Sequence, residues 1–477
     1  MNVHSVFDKE RPPGRNIHLR ESLRRVTLHL SLLFVGLALL GRSFFAASSQ
    51  DPVRWMWSGA VTPTSAVIKA RLENLSKSPQ FLLCAGEDCD PRPWDGMGKP
   101  PAPDEYGIVT VELEGLRPET RYRYGFRVDN RTTPPGSFRT FAAGPMSFRV
   151  AFASCATTGS ESSVFTSILE MEPDVFLHMG DFHYEDIKKP DVEVYLEAYD
   201  KVLRSKTQSE LFRRVPIVYI WDDHDYGPDN SDRTAPGRLA ALDAYRRAVP
   251  HYPLASLPPD RMSIHQAFTV GRVRFLATDL RAMRDPAGLA DGPDKSMLGE
   301  DQKAWLLDEF ARAMEEEFPL VGWVSTVPWI ASAEAKKLVG WAPYSFERSL
   351  LAERIRSLGL DRRLLMLSGD AHMVAIDDGS HSNFAPGAEA GERGFPVVQA
   401  APLDRYPRKK GGPYSHGTET GSKFFPWSKV QQFGFMEVVD DGSRIEVWIT
   451  GRDKRGRILD GMELRLLCAD GGCEVVP

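Results

Sequence analysis

Three acidic motifs and one cysteine follow segments that are expected to form β-strands. The cysteine lies in Ser154-Cys155, and the three acidic motifs are Gly180–Glu185, Trp221–Asp225 and Gly369–His372. The segments before them are short and rich in apolar or β-branched residues, namely Phe148–Ala153, Asp174–Leu177, Pro216–Ile220 and Leu364–Leu367. Open α/β sheets place their chemistry beyond the carboxyl ends of the strands, so these side chains are expected to converge. Converging carboxylates, imidazoles and a thiol favour a metal-dependent hydrolytic centre.

The residue types in these motifs divide into softer and harder metal ligands. Asp181 has enough lone pairs to bridge two ions, and Tyr184 lies three residues further on. A phenolate and a thiolate suit trivalent iron better than magnesium or calcium. Cys155 and the neutral imidazole of His372 complete such a site. Each motif taken singly is also typical of a turn or a solvated loop, and Cys155 is equally well explained as a buried apolar residue.

The remaining acidic residues suit a second ion. Asp223 and Asp370 offer hard oxygen ligands of the kind that calcium or manganese prefers. His224 follows Asp223 directly and is expected to face the substrate and donate a proton to a leaving oxygen. A water polarised between the two ions is the expected nucleophile. Asp222 and Asn230 are further candidates for a calcium ligand, although solvation in a loop explains them equally well.

The elements that must position these residues fall into two regions. Residues 51–143 have the turn spacing of a small all-β domain, and Ala66–Arg71 is one expected strand. The stretch Leu116–Tyr124 resembles the tyrosine corner of fibronectin type III domains, and Gly136–Phe141 fits the closing strand. From residue 146 onward strands alternate with helical segments such as Leu298–Phe310, which is the α/β pattern.

Three strand-like segments near the C-terminus are expected to close the second sheet of a layered core. They are Phe433–Val439, Ile445–Thr450 and Met462–Leu467.

The ordered motifs resemble those of the calcineurin-like metallophosphatases, which carry DxH, GDxxD, GNHD and GHxH blocks in this order. Here Cys155 stands in the first block, Tyr184 replaces the second Asp, Asp223 replaces Asn, and Asp370 replaces the first His. These departures are similar to the alkaline phosphatase D (PhoD-like) family. The resemblance covers roughly residues 51–470.

The resemblance implies an α/β fold, with a layered metallophosphatase core of two packed mixed sheets flanked by helices at 146–477. A fibronectin type III-like β-sandwich is implied at 51–143. It implies ferric iron and calcium, with manganese or zinc as alternatives. The implied metal ligands are Cys155, Asp181, Tyr184, Asp223, Asp370 and His372. His224 inherits the acid role, and Arg281 is the candidate for binding a phosphate oxygen; a salt bridge to a surface carboxylate is its alternative.

The N-terminus and the cysteines predict export. Residues 1–48 have a basic segment, the apolar run Val26–Leu40 and small residues, in the order of an export signal. The pair Arg24-Arg25 suggests the twin-arginine type, although such pairs also simply orient a signal. An uncleaved membrane anchor is the alternative. The close pairs Cys84/Cys89 and Cys468/Cys473 predict hairpin disulfides in the periplasm, at the cell surface or in the medium, rather than a zinc site.

The chain is therefore predicted to be an exported phosphatase that acts on phosphomonoesters, phosphodiesters or both. The substrate is a small-molecule, lipid or polymer phosphate ester. A net charge of −6 and a pI near 6.1 argue against a nucleic-acid binder. The small basic cluster Arg405, Arg408, Lys409 and Lys410 does not change this and is expected to be a solvated loop. The alternatives are a catalytically inactive cell-surface binding protein on the same core, and hydrolysis of non-phosphate esters.

Overall fold

The computed structural model describes residues 51–74, 78–94, 102–331, 340–389, 391–408, 410–416 and 431–476. The predicted export signal at 1–48 lies outside these residues, as does Lys409. Within the described ranges, the helices are all too short or too polar to cross a membrane.

The described residues between 51 and 147 form strands and turns. In order, the strands are β1 Val53–Gly59, β2 Ala66–Leu72, β3 Gln80–Ala85, β4 Arg92–Pro93, β5 Ile108–Leu113, β6 Arg121–Val128, β7 Arg131–Thr132 and β8 Gly136–Arg139. Strands β1, β2 and β5 are antiparallel neighbours, while β3, β4, β6, β7 and β8 form a small sheet of their own. The Tyr122 hydroxyl accepts a hydrogen bond from the Arg117 backbone N–H at 2.9 Å, which is the contact of a tyrosine corner. The fibronectin-like sandwich and the 51–143 boundaries stay predictions.

The strands of the rest of the chain, together with β1, β2 and β5, build two larger sheets. The strands are β9 Phe148–Ala153, β10 Val175–Met179, β11 Ile217–Ile220, β12 Gln266–Val270, β13 Val273–Thr278, β14 Leu320–Ser325, β15 Leu364–Ser368, β16 Val374–Asp377, β17 Val397–Ala400, β18 Gln432–Asp440, β19 Ile445–Asp453, β20 Ile458–Ala469 and β21 Gly472–Val476. A ten-stranded mixed sheet has the order β21-β20-β19-β18-β9-β10-β11-β1-β2-β5. A six-stranded mixed sheet has the order β12-β13-β14-β15-β17-β16.

The placement of the C-terminal strands differs from the prediction. They were expected to close the second sheet, but β18 pairs antiparallel with β9 in the first sheet. Phe435 and Val438 of β18 point apolar side chains into the core that covers β9. The edge of β9 is therefore sealed by a hairpin, and the first sheet grows outward from it.

Helices cover the sheets. They are α1 Ser163–Glu170, α2 Val192–Leu203, α3 Lys206–Arg214, α4 Asp223–Tyr226, α5 Arg238–Ala248, α6 Glu300–Glu315 and α7 Ser345–Leu358. The predicted helix at Leu298–Phe310 is confirmed as α6, where Leu306 and Phe310 are buried. Between the sheets, Phe148 of β9 contacts Phe275 of β13 with ring centroids 6.5 Å apart. The two mixed sheets thus share one core, as predicted.

The central strands lie side by side and end at one edge. Strand β10 pairs in parallel with both β9 and β11, and all residues of β10 and β11 are buried, as expected for strands covered on both faces. Strand β15 of the second sheet ends beside them, because the Asp370 backbone N–H donates to the Ser154 hydroxyl at 3.1 Å. This contact joins the carboxyl ends of the two sheets.

Candidate metal centre

The predicted ligands converge at this shared edge. The side chains of Cys155, Asp181 and His372 each place one ligand atom within 4.8 Å of the others. The same separation holds for Asp181, Asp223 and His224, and for Asp181, Asp222 and Asp370. Asp181 is common to the three groups, so it has the position that a bridging carboxylate requires.

Tyr184 and His372 close one side of the cluster. The Tyr184 hydroxyl donates to Asp181 Oδ2 at 2.6 Å and lies 3.3 Å from His372 Nε2. His372 Nδ1 lies 2.7 Å from the Tyr406 carbonyl oxygen, so Nδ1 carries the proton that it donates there. The lone pair of Nε2 then faces the cluster, the usual arrangement for a metal-ligating histidine.

The backbone at four of these residues has an uncommon conformation. Cys155, Asp181, Asp370 and His372 have φ values of 64°, 55°, 54° and 55°. Non-glycine residues in the left-handed region cost on the order of 1–3 kcal/mol each. The chain turns sharply at the end of each strand and thereby directs each side chain into the common space. Folding holds these conformations against their intrinsic preference, which is typical of functional sites.

The donors in the cluster fit a cation. Burial raises the pKa of the Cys155 thiol and of the Tyr184 hydroxyl well above their usual values. Burial and the neighbouring Asp223 likewise raise the pKa of Asp181. Oδ1 of Asp181 and Oδ1 of Asp223 are buried without a hydrogen-bond partner. A buried thiolate, phenolate and carboxylates so close together are stable only if positive charge compensates them. The unpartnered Oδ1 atoms of Asp181 and Asp223 could bind that positive charge.

Arg281 lies near the open Oδ1 of Asp223, with Nη2 3.7 Å from it, but its hydrogen bonds go to other groups. Its Nε and Nη2 atoms bind the two oxygens of Asp222 at 2.6 and 2.9 Å, and Nη1 donates to the Ser231 carbonyl at 3.2 Å. Arg281 is only 2% exposed. The salt bridge that was its alternative interpretation is present, although the partner Asp222 is buried. Arg281 thus holds the Asp222–Asp223 segment in place, and its grip on phosphate stays a prediction.

His224 lies beside the ligands with its ring against Tyr184. The two ring centroids are 4.1 Å apart. His224 Nδ1 lies 2.7 Å from Asp186 Oδ1, and Nε2 lies 3.5 Å from Asp229 Oδ1. Burial opposes protonation, but the carboxylates of Asp181, Asp223 and Asp186 outweigh it and raise the pKa of His224 to about 9. His224 can therefore hold a proton near neutral pH, and its role as the acid stays a prediction.

The acidic residues of the motif Trp221–Asp225 therefore have different roles. Asp225 faces away from the ligands and accepts hydrogen bonds from the backbone N–H groups of Phe182 and Asp222, at 2.9 and 2.7 Å. It also accepts from the Tyr219 hydroxyl at 2.5 Å. Asp225 thus ties the turn that carries Asp181 to the turn that carries Asp223. Asn230, by contrast, contributes its backbone N–H to Asp223 Oδ2 at 2.6 Å.

The sequence analysis missed the loop that follows β17. Its basic residues were assigned to a solvated loop, yet the Arg405 guanidinium lies 3.8 Å from the Tyr184 ring centroid. Lys410 forms an ion pair with Asp370. Arg408 is exposed, in agreement with the prediction. The position of this loop could have identified it, because it follows the buried strand β17, which pairs in parallel with β15.

The cysteine predictions agree with the structure. Cys84 is bonded to Cys89 and Cys468 to Cys473. Cys155 is free and buried. The prediction of two hairpin disulfides is confirmed, and the odd cysteine lies among the candidate ligands.

Comparison with solved structures defines the fold class. A structure of PhoD is similar over 90% of this chain and 93% of that chain, with a TM-score of 0.67 and 16% identity. Purple acid phosphatase PPD1 from yellow lupin (Lupinus luteus) seeds is similar over 87% of this chain and 74% of that one, with a TM-score of 0.57 and 12% identity. Mixed sheets flanked by helices are thus a fold shared with metallophosphatases.

Residues 150–447 match the PhoD-like phosphatase family, and the chain belongs to that family. Alkaline phosphatase D of Bacillus subtilis (strain 168) is 26% identical over 312 residues, which is 55% of this chain. The matched region spans 53% of that relative's length. The prediction of a PhoD-like hydrolase is confirmed at the level of the family.

Proposed function

We propose that this protein is a metal-dependent phosphatase that releases phosphate from monoesters, diesters or both. The observation that carries the proposal is the convergence of Cys155, Asp181 and His372 at the strand ends of a PhoD-like chain. An inactive binding protein is less consistent with the structure, because the complete set of predicted ligands lies within one cluster. The substrate class includes small-molecule, lipid and polymer phosphate esters.

The donor types suggest two kinds of ion. Cys155, Tyr184 and His372 would hold ferric iron, with Asp181 shared. The neighbouring oxygens of Asp223 and Asp370 would hold calcium, with manganese or zinc as alternatives. Such ions polarise a phosphoryl oxygen and lower the pKa of water at neutral pH.

The side chains of this protein have separate roles in the proposed reaction. Asp181 and Asp223 would hold the positive charges through their buried, unpartnered oxygens. His224 holds a proton beside them and donates it to the leaving oxygen, while Asp186 orients its imidazole through Nδ1. Arg281 neutralises Asp222 and keeps the turn from opening.

Elemental analysis beside rate measurements tests this proposal. The purified protein should contain metal and hydrolyse p-nitrophenyl phosphate or its diester, bis(p-nitrophenyl) phosphate. A chelator should abolish the activity, and added metal should restore it. A metal-loaded, folded protein that hydrolyses neither ester would favour the binding-protein alternative.

We further propose that the protein is exported and that residues 51–143 form a fibronectin-like accessory domain. The two disulfides are consistent with an oxidising compartment. Expression of the full chain in a bacterial host, followed by N-terminal sequencing, should give a mature protein that begins near residue 49. A protein recovered in the cytosol with Met1 intact would contradict export.

A further inference from the structure

A protein cation with free donors would stabilise a phosphate ester in this site, and two of the nearby cations are already committed. Arg281 makes three hydrogen bonds within the protein and is buried. Lys410 is paired with Asp370. Arg405 is different: within the described part of the chain, no carboxylate lies within ion-pair distance of its guanidinium. Its Nε atom is buried without a hydrogen-bond partner.

Arg405 lies directly beside the candidate ligands. Its guanidinium carbon is 3.8 Å from the Tyr184 ring centroid, while the His224 ring lies 4.1 Å from the same centroid. One ring face cannot hold both groups at these distances, so they lie on opposite faces of Tyr184. The cation–π contact keeps the guanidinium against the Tyr184 ring.

The neighbours of Arg405 fix its position from both sides. The Asp404 carboxylate accepts hydrogen bonds from the Thr157 backbone N–H and the Ser160 hydroxyl, both at 2.5 Å. On the other side, the Tyr406 carbonyl accepts the hydrogen bond from His372 Nδ1. Asp404 is 3% exposed. The backbone at Arg405 is thus anchored next to the residues that follow β9 and to His372 itself.

We propose that Arg405 binds a non-bridging oxygen of the substrate's phosphate group. This inference rests on the proposed function and deepens it by naming the recognition residue. A guanidinium offers two parallel N–H donors that match the spacing of phosphate oxygens. Because Tyr184 carries the stacked guanidinium, the phosphate that Arg405 holds lies next to the iron ligands, with His224 across the ring.

The test compares Arg405→Met and Arg405→Lys with Arg408→Met as the matched control. Arg408 is in the same loop, carries the same charge and is exposed. Each protein is purified with its metals, and metal content, melting temperature, affinity for inorganic phosphate by calorimetry, and KM for p-nitrophenyl phosphate are measured. Inorganic phosphate is the probe because its binding is read without turnover.

We expect Arg405→Met to keep its metals and to weaken phosphate binding roughly 10- to 100-fold, as loss of a charge-assisted hydrogen bond does. KM should rise in parallel, Arg405→Lys should lie between Arg405→Met and the native protein, and Arg408→Met should match the native protein. Unchanged phosphate affinity in a metal-loaded Arg405→Met would overturn the inference. Loss of metal or folding in both Arg405 variants would overturn it as well, since the residue would then support Tyr184.

The two proposals fail in different ways. If the native protein hydrolyses phosphate esters while Arg405→Met binds phosphate normally, the inference fails and the proposed function stands. If the native protein binds phosphate through Arg405 but hydrolyses no ester, the proposed function fails and the inference stands.

Discussion

The position of His224 makes it either a proton donor or a metal ligand, and a substitution separates the two roles. Its ring nitrogen lies within 4.8 Å of ligand atoms of Asp181 and Asp223, yet Nδ1 is bound to Asp186. We expect His224→Ala to keep the metals and lower kcat by roughly 10²–10⁴-fold, the range of general acids. Elemental analysis beside kcat checks this. Metal loss in His224→Ala would make it a ligand.

Tyr184 reports on the identity of the ion near Cys155. A phenolate bound to ferric iron should give a visible charge-transfer band. Tyr184→Phe keeps the ring that contacts His224 and Arg405 but removes the hydroxyl bonded to Asp181. The band should shift or weaken in this variant, and the activity should fall. A colourless, fully active native protein that contains only zinc or magnesium would contradict the iron assignment.

Most of these side chains were predictable because each follows a buried strand and has a chemistry that needs a partner. The tasks of neighbours within one motif were not predictable. Asp222, Asp223 and Asp225 are adjacent carboxylates, but one binds Arg281, one faces the cluster and one braces the turns. The direction of each side chain depends on backbone turns that the residue types do not reveal. Arg405 was missed because a basic loop is usually solvated.

At the scale of elements, short polar contacts hold the strand ends together. Asp225 is 3% exposed and accepts three hydrogen bonds. Asp225→Ala would leave the N–H groups of Phe182 and Asp222 and the hydroxyl of Tyr219 without this partner. Each buried orphan costs about 1–3 kcal/mol. We expect a loss of at least about 2 kcal/mol in the free energy of unfolding, measured by denaturant titration.

The exposed Asp260 offers the control for this substitution. Asp260→Ala should leave the free energy of unfolding within about 0.5 kcal/mol of the native value. A denaturation midpoint for Asp225→Ala equal to that of Asp260→Ala would show that Asp225 is not a brace.

The strands themselves were well predicted, whereas their partners were not. The segment Ile445–Thr450 was expected as a strand and is one, within Ile445–Asp453. Alternation of apolar residues identifies a strand but not the strand that pairs with it. Both faces of β9 would be buried whether the C-terminal strands joined the first sheet or the second. The pairing of β18 with β9 depends on which edge strand of the ten-stranded sheet the other strands leave unpaired.

At the scale of the whole molecule, a buried histidine should make stability depend on pH. His178 of β10 is 1% exposed, and neither ring nitrogen has a hydrogen-bond partner. Burial lowers its pKa from 6.5 to about 3. The folded state therefore binds this proton less readily than the unfolded state. Its contribution to stability is complete above pH 6.5 and is lost progressively as the pH falls toward 3.

Replacing His178 with leucine should remove that dependence. Between pH 6.5 and pH 5, protonation of His178 should lower the free energy of unfolding of the native protein by up to about 2 kcal/mol, at 1.36 kcal/mol per pH unit. The His178→Leu variant should not show this loss. Urea titrations of both proteins at pH 7 and pH 5 measure the difference. If the free energy of unfolding falls equally in the two proteins, groups other than His178 cause the sensitivity to acid.

The most direct test of the account is the metal content and activity of Asp181→Asn beside the native protein. Asp181 belongs to each of the three candidate ligand groups, so removing its charge should empty both ion positions together. We expect the native protein to contain iron and a second metal and to hydrolyse p-nitrophenyl phosphate. Asp181→Asn should be folded, with both metals lost and no turnover. A native protein that is active without metal, or an Asp181→Asn protein that keeps both ions and full activity, would contradict a metal-dependent phosphatase centred on Asp181.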